Sequence, residues 1–423
     1  MKTPVDRSER ILLWVGMGSV LLGLRLTAIQ ATGFASLVWL LIAVWFLAKR
    51  PIAPRAPAYG ALCAGVVLAV WAIDAIGVVD PASARSWVLG WCAPALAAFT
   101  LVGRQALRRQ LLADVAAVAV GLAVLALVQW TSGHHRPGAL FTNPNLFGAF
   151  CLAALPALST WSQRNRQVAG ALILVAGIAV SGSRGALVAL AVGGGALFFL
   201  LGNWRQRALL AGVGLAIVFS PPVTQRIEAL RDDPAAFGRF DWWGVALTVQ
   251  KQHPAGVGTR QFGWHAFEHR RPMTDAPIYR YLRGAPGESA HSEWLEQFTG
   301  HGWDGLLLLI AVLVLSGAGA RAPPLLAVGM LAVHGALDGA WQAEPVRWLL
   351  VVQLAECWAT SWAAARARPV VVWFGFAGLV GMALWSLPVA LADGINRQAN
   401  SKVRRSERAP AGHRRARLER EAQ

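Results

Sequence analysis

The sequence predicts an all-α fold, a polytopic transmembrane helical bundle, and three observations carry that reading. Of its residues 56% are hydrophobic and 14% charged, whereas a soluble domain is about a quarter charged. Windows of about 20 apolar residues, the length a helix needs to cross a bilayer, recur along nearly the whole chain. The polar segments between them are alternately rich and poor in arginine, as the positive-inside rule requires.

Taken in order, spans are expected near 11–29, 33–48, 58–78, 87–103, 111–130, 139–161, 167–181, 184–201, 208–223, 302–319, 324–341, 346–365 and 370–391. Arg25 interrupts the first pair, which can be divided differently. With a cytoplasmic N-terminus, the inner connections carry Lys49 to Arg55, Arg104 to Arg109, Arg164 to Arg166, Arg205 to Arg207, and Arg321. Thirteen crossings would put the Arg-rich tail outside, although it belongs inside; either one C-terminal segment does not cross or the tail breaks the rule, and about 12 spans is the preferred reading. The single long connection, 224–301, then faces out and should contain short helices. These boundaries divide the chain into N-terminal helices (1–138), a central region (139–345), C-terminal helices (346–391) and a basic tail (392–423) that lacks apolar periodicity.

The net charge of +17 follows from this topology, because the cations sit between apolar runs, and no nucleic-acid partner is implied. Twenty tryptophans against three tyrosines read as interfacial anchors, with Trp39, Trp45, Trp87, Trp91, Trp130, Trp161, Trp204 and Trp303 near the ends of apolar runs. Cys63, Cys92, Cys151 and Cys357 occupy four separate apolar runs and form no disulfide or zinc spacing. The first apolar stretch lacks a cleavage site and is followed by further spans, so no cleavable signal is expected.

Loops as long as 224–301 in a compact protein usually carry function. The end of this one, Gly287-Glu-Ser-Ala-His-Ser-Glu-Trp-Leu-Glu-Gln-Phe, reads as a helix start. Ser289 can cap it, and His291 would lie in the first turn on the face of Trp294, Leu295 and Phe298. A helix N-terminus disfavours imidazolium and welcomes anions, so His291 suits a general base; a histidine that only hydrogen-bonds at a helix end fits the same pattern. Arg184, in Ser181-Gly-Ser-Arg-Gly, breaks two apolar runs without room for a loop. Such a break inside a membrane is tolerated where it lines a cavity, and an arginine that snorkels to the interface is the alternative.

Arg239 begins an amphipathic segment with Trp243, Ala246, Leu247 and Val249 on its apolar side; a surface pair with Asp241 is its ordinary explanation. Asn143-Pro-Asn145 places two amides in an apolar stretch, which predicts a bent helix with a polar lining. His334 and Asp338 are four residues apart in one expected span and Glu356 lies in the next, a functional or a structural set. His265-Ala-Phe-Glu-His269 has the zinc spacing H-x-x-E-H but no evident third ligand, so no metal is expected. Gly256-Val-Gly258 lacks the context of a dinucleotide site, and no cofactor is expected.

In this order and spacing the elements resemble the O-antigen ligase and polymerase superfamily of bacterial inner-membrane enzymes. The residues that carry the resemblance are Asn143-Pro144-Asn145; Ser181 to Gly185; Arg239 to Trp243; Pro254, Gly256, Gly258 and Phe262; and His291, Leu295, Gly302 and Gly305. They cover about 139–345. The family's asparagine after the histidine is here Ser292, and an acid common two places before the first glycine is Gly300.

The resemblance implies metal-independent, inverting transfer of a glycan from undecaprenyl diphosphate to an acceptor hydroxyl at the periplasmic face of the inner membrane. Arg184 and Arg239 would clamp the diphosphate, His291 would be the base, and the N-P-N region would guide the lipid tail. Asn143, Asn145, Ser183, Trp243, Gly256, Gly258, Glu288 and Ser292 would contact substrate. Lipid A-core is the first acceptor it suggests; a growing glycan (polymerase) or a protein (O-oligosaccharyltransferase) would use the same donor. A proton-coupled transporter, with His334, Asp338 and Glu356 as its relay, is the reading of a different class.

Overall fold

The computed structural model describes residues 7–22, 80–102, 104–200, 203–232, 238–269, 289–317 and 322–360, with isolated positions 38, 41, 42, 45, 68, 78 and 320. All regular structure among them is helical: α1 (Arg7–Leu22), α2 (Pro81–Val102), α3 (Gln105–Thr131), α4 (Pro144–Ala154), α5 (Arg164–Ser181), α6 (Arg184–Leu200), α7 (Trp204–Val218), α8 (Pro221–Asp232), α9 (Gly238–Gln252), α10 (Phe262–His269), α11 (Glu293–Gly317), α12 (Ala322–Leu337) and α13 (Glu344–Thr360). Helices α3 and α11 are long and apolar enough to cross a membrane, and α4 with its 3₁₀ extension, α6 and α12 are shorter apolar helices. The expected spans near 33–48, 58–78 and 370–391 and the tail 392–423 lie outside the described residues.

Helix α4 is the hub. Residues 147–154 are buried on every face, and α4 packs against α3, α5, α6, α12 and α13. A helix apolar all round belongs in a core. Small residues allow the close packing: a side chain at Gly148 would strike Ser183, and one at Gly177 of α5 would strike Ala123 of α3. Cys92, Cys151 and Cys357 are buried and form no disulfide, as packing residues.

The tryptophans divide. Trp204, at the start of α7, and Trp303, beside the kink of α11 at Gly302, are exposed, as interfacial anchors would be. Trp87 and Trp91 instead lie in the core, and Trp161 is half-buried with its indole N–H bonded to Ala113 O at 3.1 Å. For Trp87 and Trp91 the anchor reading is corrected; an apolar run marks a helix end without saying whether that end meets lipid or protein.

The N-P-N element does not lie inside a span. Asn143 is the N-cap of α4, its side chain accepting from Asn145 N at 2.9 Å, with Pro144 as first residue of the helix. Proline has no N–H to lose there and its φ suits that position, so the bent helix expected from this motif is instead a helix start. Ser181-Gly-Ser-Arg does make a near-loopless reversal. Gly182, at φ 61°, ends α5 in the left-handed region, and Ser183 Oγ accepts from Ala186 N at 3.3 Å to begin α6.

Candidate active site

The candidate residues sit where helix ends of the core meet the loop helices. Helix α9 and its neighbour α10 form a small core of Trp242, Val245, Ala246, Val249, Phe262, Ala266 and Ala290. The expected apolar face of α9 is thus rotated: Trp242 and Val245 are inside, while Leu247 is exposed. Trp243 is half-buried, edge-on to Phe240 at 5.1 Å, and its indole nitrogen is buried without a hydrogen-bond partner.

The P-x-G-x-G loop fastens this unit to α11. Val257 N donates to Thr299 O and Gly258 N to Gly300 O, both at 2.8 Å. Gly256 (φ 93°) and Gly258 (φ 94°) occupy backbone conformations that side chains rarely adopt. A Cβ on Gly256 would fall 2.3 Å from Gly300 O, and one on Gly302 2.5 Å from Pro254 O. Backbone therefore lies against backbone, which gives Gly256 and Gly258 a positioning role in the structure. It also explains Gly302, where α11 kinks at φ 65°. Gln261 ties the same loop to α2, its side chain accepting from Asp80 N at 2.9 Å and donating to Asp80 O at 3.1 Å.

His291 lies outside α11, not in its first turn. The helix begins at Glu293, its cap is Ser292, whose Oγ accepts from Leu295 N at 3.3 Å, and Ser289 instead accepts from His291 N at 3.0 Å. His291 itself is held at φ 54°, a left-handed conformation that costs a residue with a side chain about 1–2 kcal/mol. Its ring is open on one side and edge-on to Trp242 at 6.4 Å. Protein crowding pushes the imidazole below its ordinary range; Asp338 pulls it back up, Arg239 pushes it down and Glu296 pulls it up. The balance favours the neutral ring that a base requires.

Arg239 does not depend on Asp241 for its pairing. Its Nη2 donates to Asp338 Oδ2 at 2.7 Å and its Nη1 to Leu337 O at 2.8 Å, so α9 is clamped to the end of α12. Asp338 is itself fixed, accepting from Gly339 N at 2.9 Å. One turn back, His334 is fully buried with neither ring nitrogen hydrogen-bonded, and its Nε2 would lie 3.3 Å from a Cβ on Gly185. Arg184 precedes that glycine at the start of α6. The start of α6, at Gly185, thus packs against His334 of α12, one turn from the Asp338 that pairs with Arg239.

Glu356 is not part of this group. On α13 it pairs with buried Arg108 of α3, twelve residues along the helix from Glu344, or about 18 Å. Two members of the expected relay, Asp338 and Glu356, thus pair with different arginines, Arg239 and Arg108.

Arg136 was not singled out by its sequence. Its Nη2 donates to Asn145 Oδ1 at 2.8 Å, and its Nε reaches Ser181 O at 3.4 Å, joining the N-P-N element to the S-G-S-R-G turn. The exposed polar run His134-His135-Arg136 just before N-P-N was the available signal. Ser183 is fully buried and Ser292 nearly so, while Asn143 is exposed. Glu288 lies outside the described residues. His265, of the H-x-x-E-H pattern, has its ring 4.9 Å from that of His253.

Residues 169–310 match the protein-family model described as O-antigen ligase. The match contains the S-G-S-R-G turn, Arg239, the P-x-G-x-G loop and His291, while Arg136, the N-P-N cap and Asp338 lie beyond it. No curated protein matches the chain.

Proposed function

We propose that this chain, placed in the O-antigen ligase superfamily by the domain it carries over residues 169–310, performs that superfamily's glycan transfer as an inverting glycosyltransferase at the periplasmic face of the inner membrane. The donor is a glycan on undecaprenyl diphosphate and the first acceptor to test is lipid A-core. The observation that carries this reading is the convergence of His291, Arg239 and Asp338.

The chemistry follows from the side chains. The acceptor hydroxyl gives its proton to neutral His291 as its oxygen attacks the anomeric carbon. The bond from that carbon to the diphosphate oxygen breaks on the opposite face, and undecaprenyl diphosphate leaves with the electron pair. Guanidinium groups match phosphate oxygens in charge and geometry. Arg184 and Arg239 stabilise the leaving group, and Arg136 lies beside the same turn as Arg184. Asp338 aims Arg239 and leaves its other donor hydrogens for substrate. Asn143 and Asn145, at the mouth of α4, together with Ser183, Trp243, Glu288 and Ser292, are proposed to line the substrate path; no step requires a metal.

Deletion of the gene followed by gel analysis of lipopolysaccharide and glycoproteins tests the reading. Loss of the long lipopolysaccharide ladder with accumulation of lipid-linked glycan is expected. Core bearing a single repeat would instead make the chain a polymerase, and unglycosylated protein an oligosaccharyltransferase. Purified protein should transfer glycan in EDTA, and inhibition by the chelator would refute the metal-free step.

A further inference from the structure

The segment before α11 is held in an unusual way. Glu296, on the first full turn of the helix, turns its carboxylate back past the cap, and Oε1 accepts from Ala290 N at 2.6 Å. Its own N–H bonds to Ser292 O at 2.9 Å. The residue between Ala290 and the cap is His291, in the left-handed conformation. Ala290 is fully buried and Glu296 nearly so, so this short, charge-assisted bond is shielded from water. In an ordinary capping box an acid in the first turn bonds the N–H of the cap residue itself. Here the bond reaches two residues further back and closes a loop around the histidine.

We propose that Glu296 is a positioning residue for the transfer reaction, fixing the left-handed turn that presents His291 and supplying a negative charge to its imidazole. The inference rests on the reading of His291 as the base. Three charged groups face that ring: Asp338 from the end of α12, Arg239 from α9 and Glu296 from α11. Asp338 is spoken for by Arg239 and by Gly339 N, so Glu296 is the acid whose charge does not already serve the arginine clamp. Its two effects are separable, because a glutamine in its place keeps an oxygen for Ala290 N but removes the charge.

The test uses the full chain in nanodiscs. Imidazole NMR of ¹⁵N-histidine-labelled protein follows the His291 signal, assigned by its loss in His291→Gln, through a pH titration. Turnover of undecaprenyl-diphosphate-linked glycan onto lipid A-core is measured beside it. Glu296→Gln should lower the titration midpoint of His291 by roughly half a unit or more, because a charge that favours imidazolium is gone. The acid limb of its rate profile should move to lower pH by the same amount, with its plateau rate within about threefold of wild type. Glu296→Ala loses the bond as well, and its kcat should fall roughly tenfold or more at every pH, since a small misplacement of a base is costly. The KM for donor should stay within about twofold in both variants.

An unmoved His291 midpoint in Glu296→Gln together with wild-type kcat in Glu296→Ala would overturn the inference. So would a lowered melting temperature with unchanged kcat per folded molecule, which marks a purely structural acid. Should His291→Gln turn over at the wild-type rate, the base reading fails instead, and the NMR midpoint still reports whether Glu296 acts on the ring.

Discussion

Among the described residues, two arginine–carboxylate pairs join distant helices, and they differ in what surrounds them. Arg108 and Glu356 are sealed, with side chains 2% and 9% exposed; Arg239 keeps 25% of its side chain open while Asp338 beneath it keeps 9%. Arg108 also spends Nη1 on Leu101 O at 2.7 Å. The first pair therefore faces only protein and serves to join α3 to α13. The second presents a guanidinium, oriented from behind, to whatever enters beside His291. The same ion pair becomes structural or functional according to which of its donors still face outward.

The largest expected effect lies on the open side. His291→Gln should reduce kcat by about 10²- to 10⁴-fold, the range of a general base, with an unchanged melting temperature. Retained turnover would remove the histidine from the reaction. On the sealed side the readout inverts. Glu356→Gln or Arg108→Met alone leaves an uncompensated buried charge and should cost about 3–5 kcal/mol of stability, seen as a lower melting temperature, while kcat per folded molecule stays at wild type. Replacing both by apolar residues of similar size should restore most of the loss. If Glu356→Gln instead abolishes turnover in a protein of normal stability, the division between the two pairs is wrong.

Asp338→Asn is the next largest. It replaces the carboxylate of an ion pair by a neutral amide acceptor, and a hydrogen bond to a charged group is worth about 1.5–3 kcal/mol. That corresponds to roughly 10- to 150-fold in kcat/KM for donor. A transporter would put the requirement on proton movement; a defect in Asp338→Asn that tracked a proton gradient across the vesicle membrane, with no glycan transferred by the wild type, would favour that alternative.

Much of this organisation was legible in the sequence, for identifiable reasons. Helix extents followed from apolar windows, and the α5–α6 reversal followed from a glycine and two serines where no loop could fit. The glycines at 256, 258 and 302 were visible as a pattern, but their cause, a loop backbone laid on α11, was not. Arg239's partner was hidden because Asp338 lies 99 residues away along the chain, whereas Asp241 is near in sequence and was the natural guess. The start of α11 was placed too early because Ser289 and Ser292 are equally good caps by composition; only the bonds to His291 N and Leu295 N distinguish them. Buried and lipid-facing tryptophans likewise share one sequence pattern.

The smallest expected effect is the pH dependence, and its sign can be worked through. Crowding by protein disfavours imidazolium, so His291 titrates below the ordinary histidine value of about 6.5. The ring must be neutral to accept the acceptor's proton, so turnover should rise as pH increases through that lowered value and level off above it. Arg239 contributes to the depression and Asp338 opposes it. Removing the arginine's charge while keeping its bulk, in Arg239→Met, should therefore raise the His291 midpoint as well as weaken donor binding. Asp338→Asn should lower it. The two variants damage the same ion pair but must move the acid limb of the rate profile in opposite directions. A shift in the same direction for both would mean that the ring responds to a disrupted clamp rather than to the charges that face it.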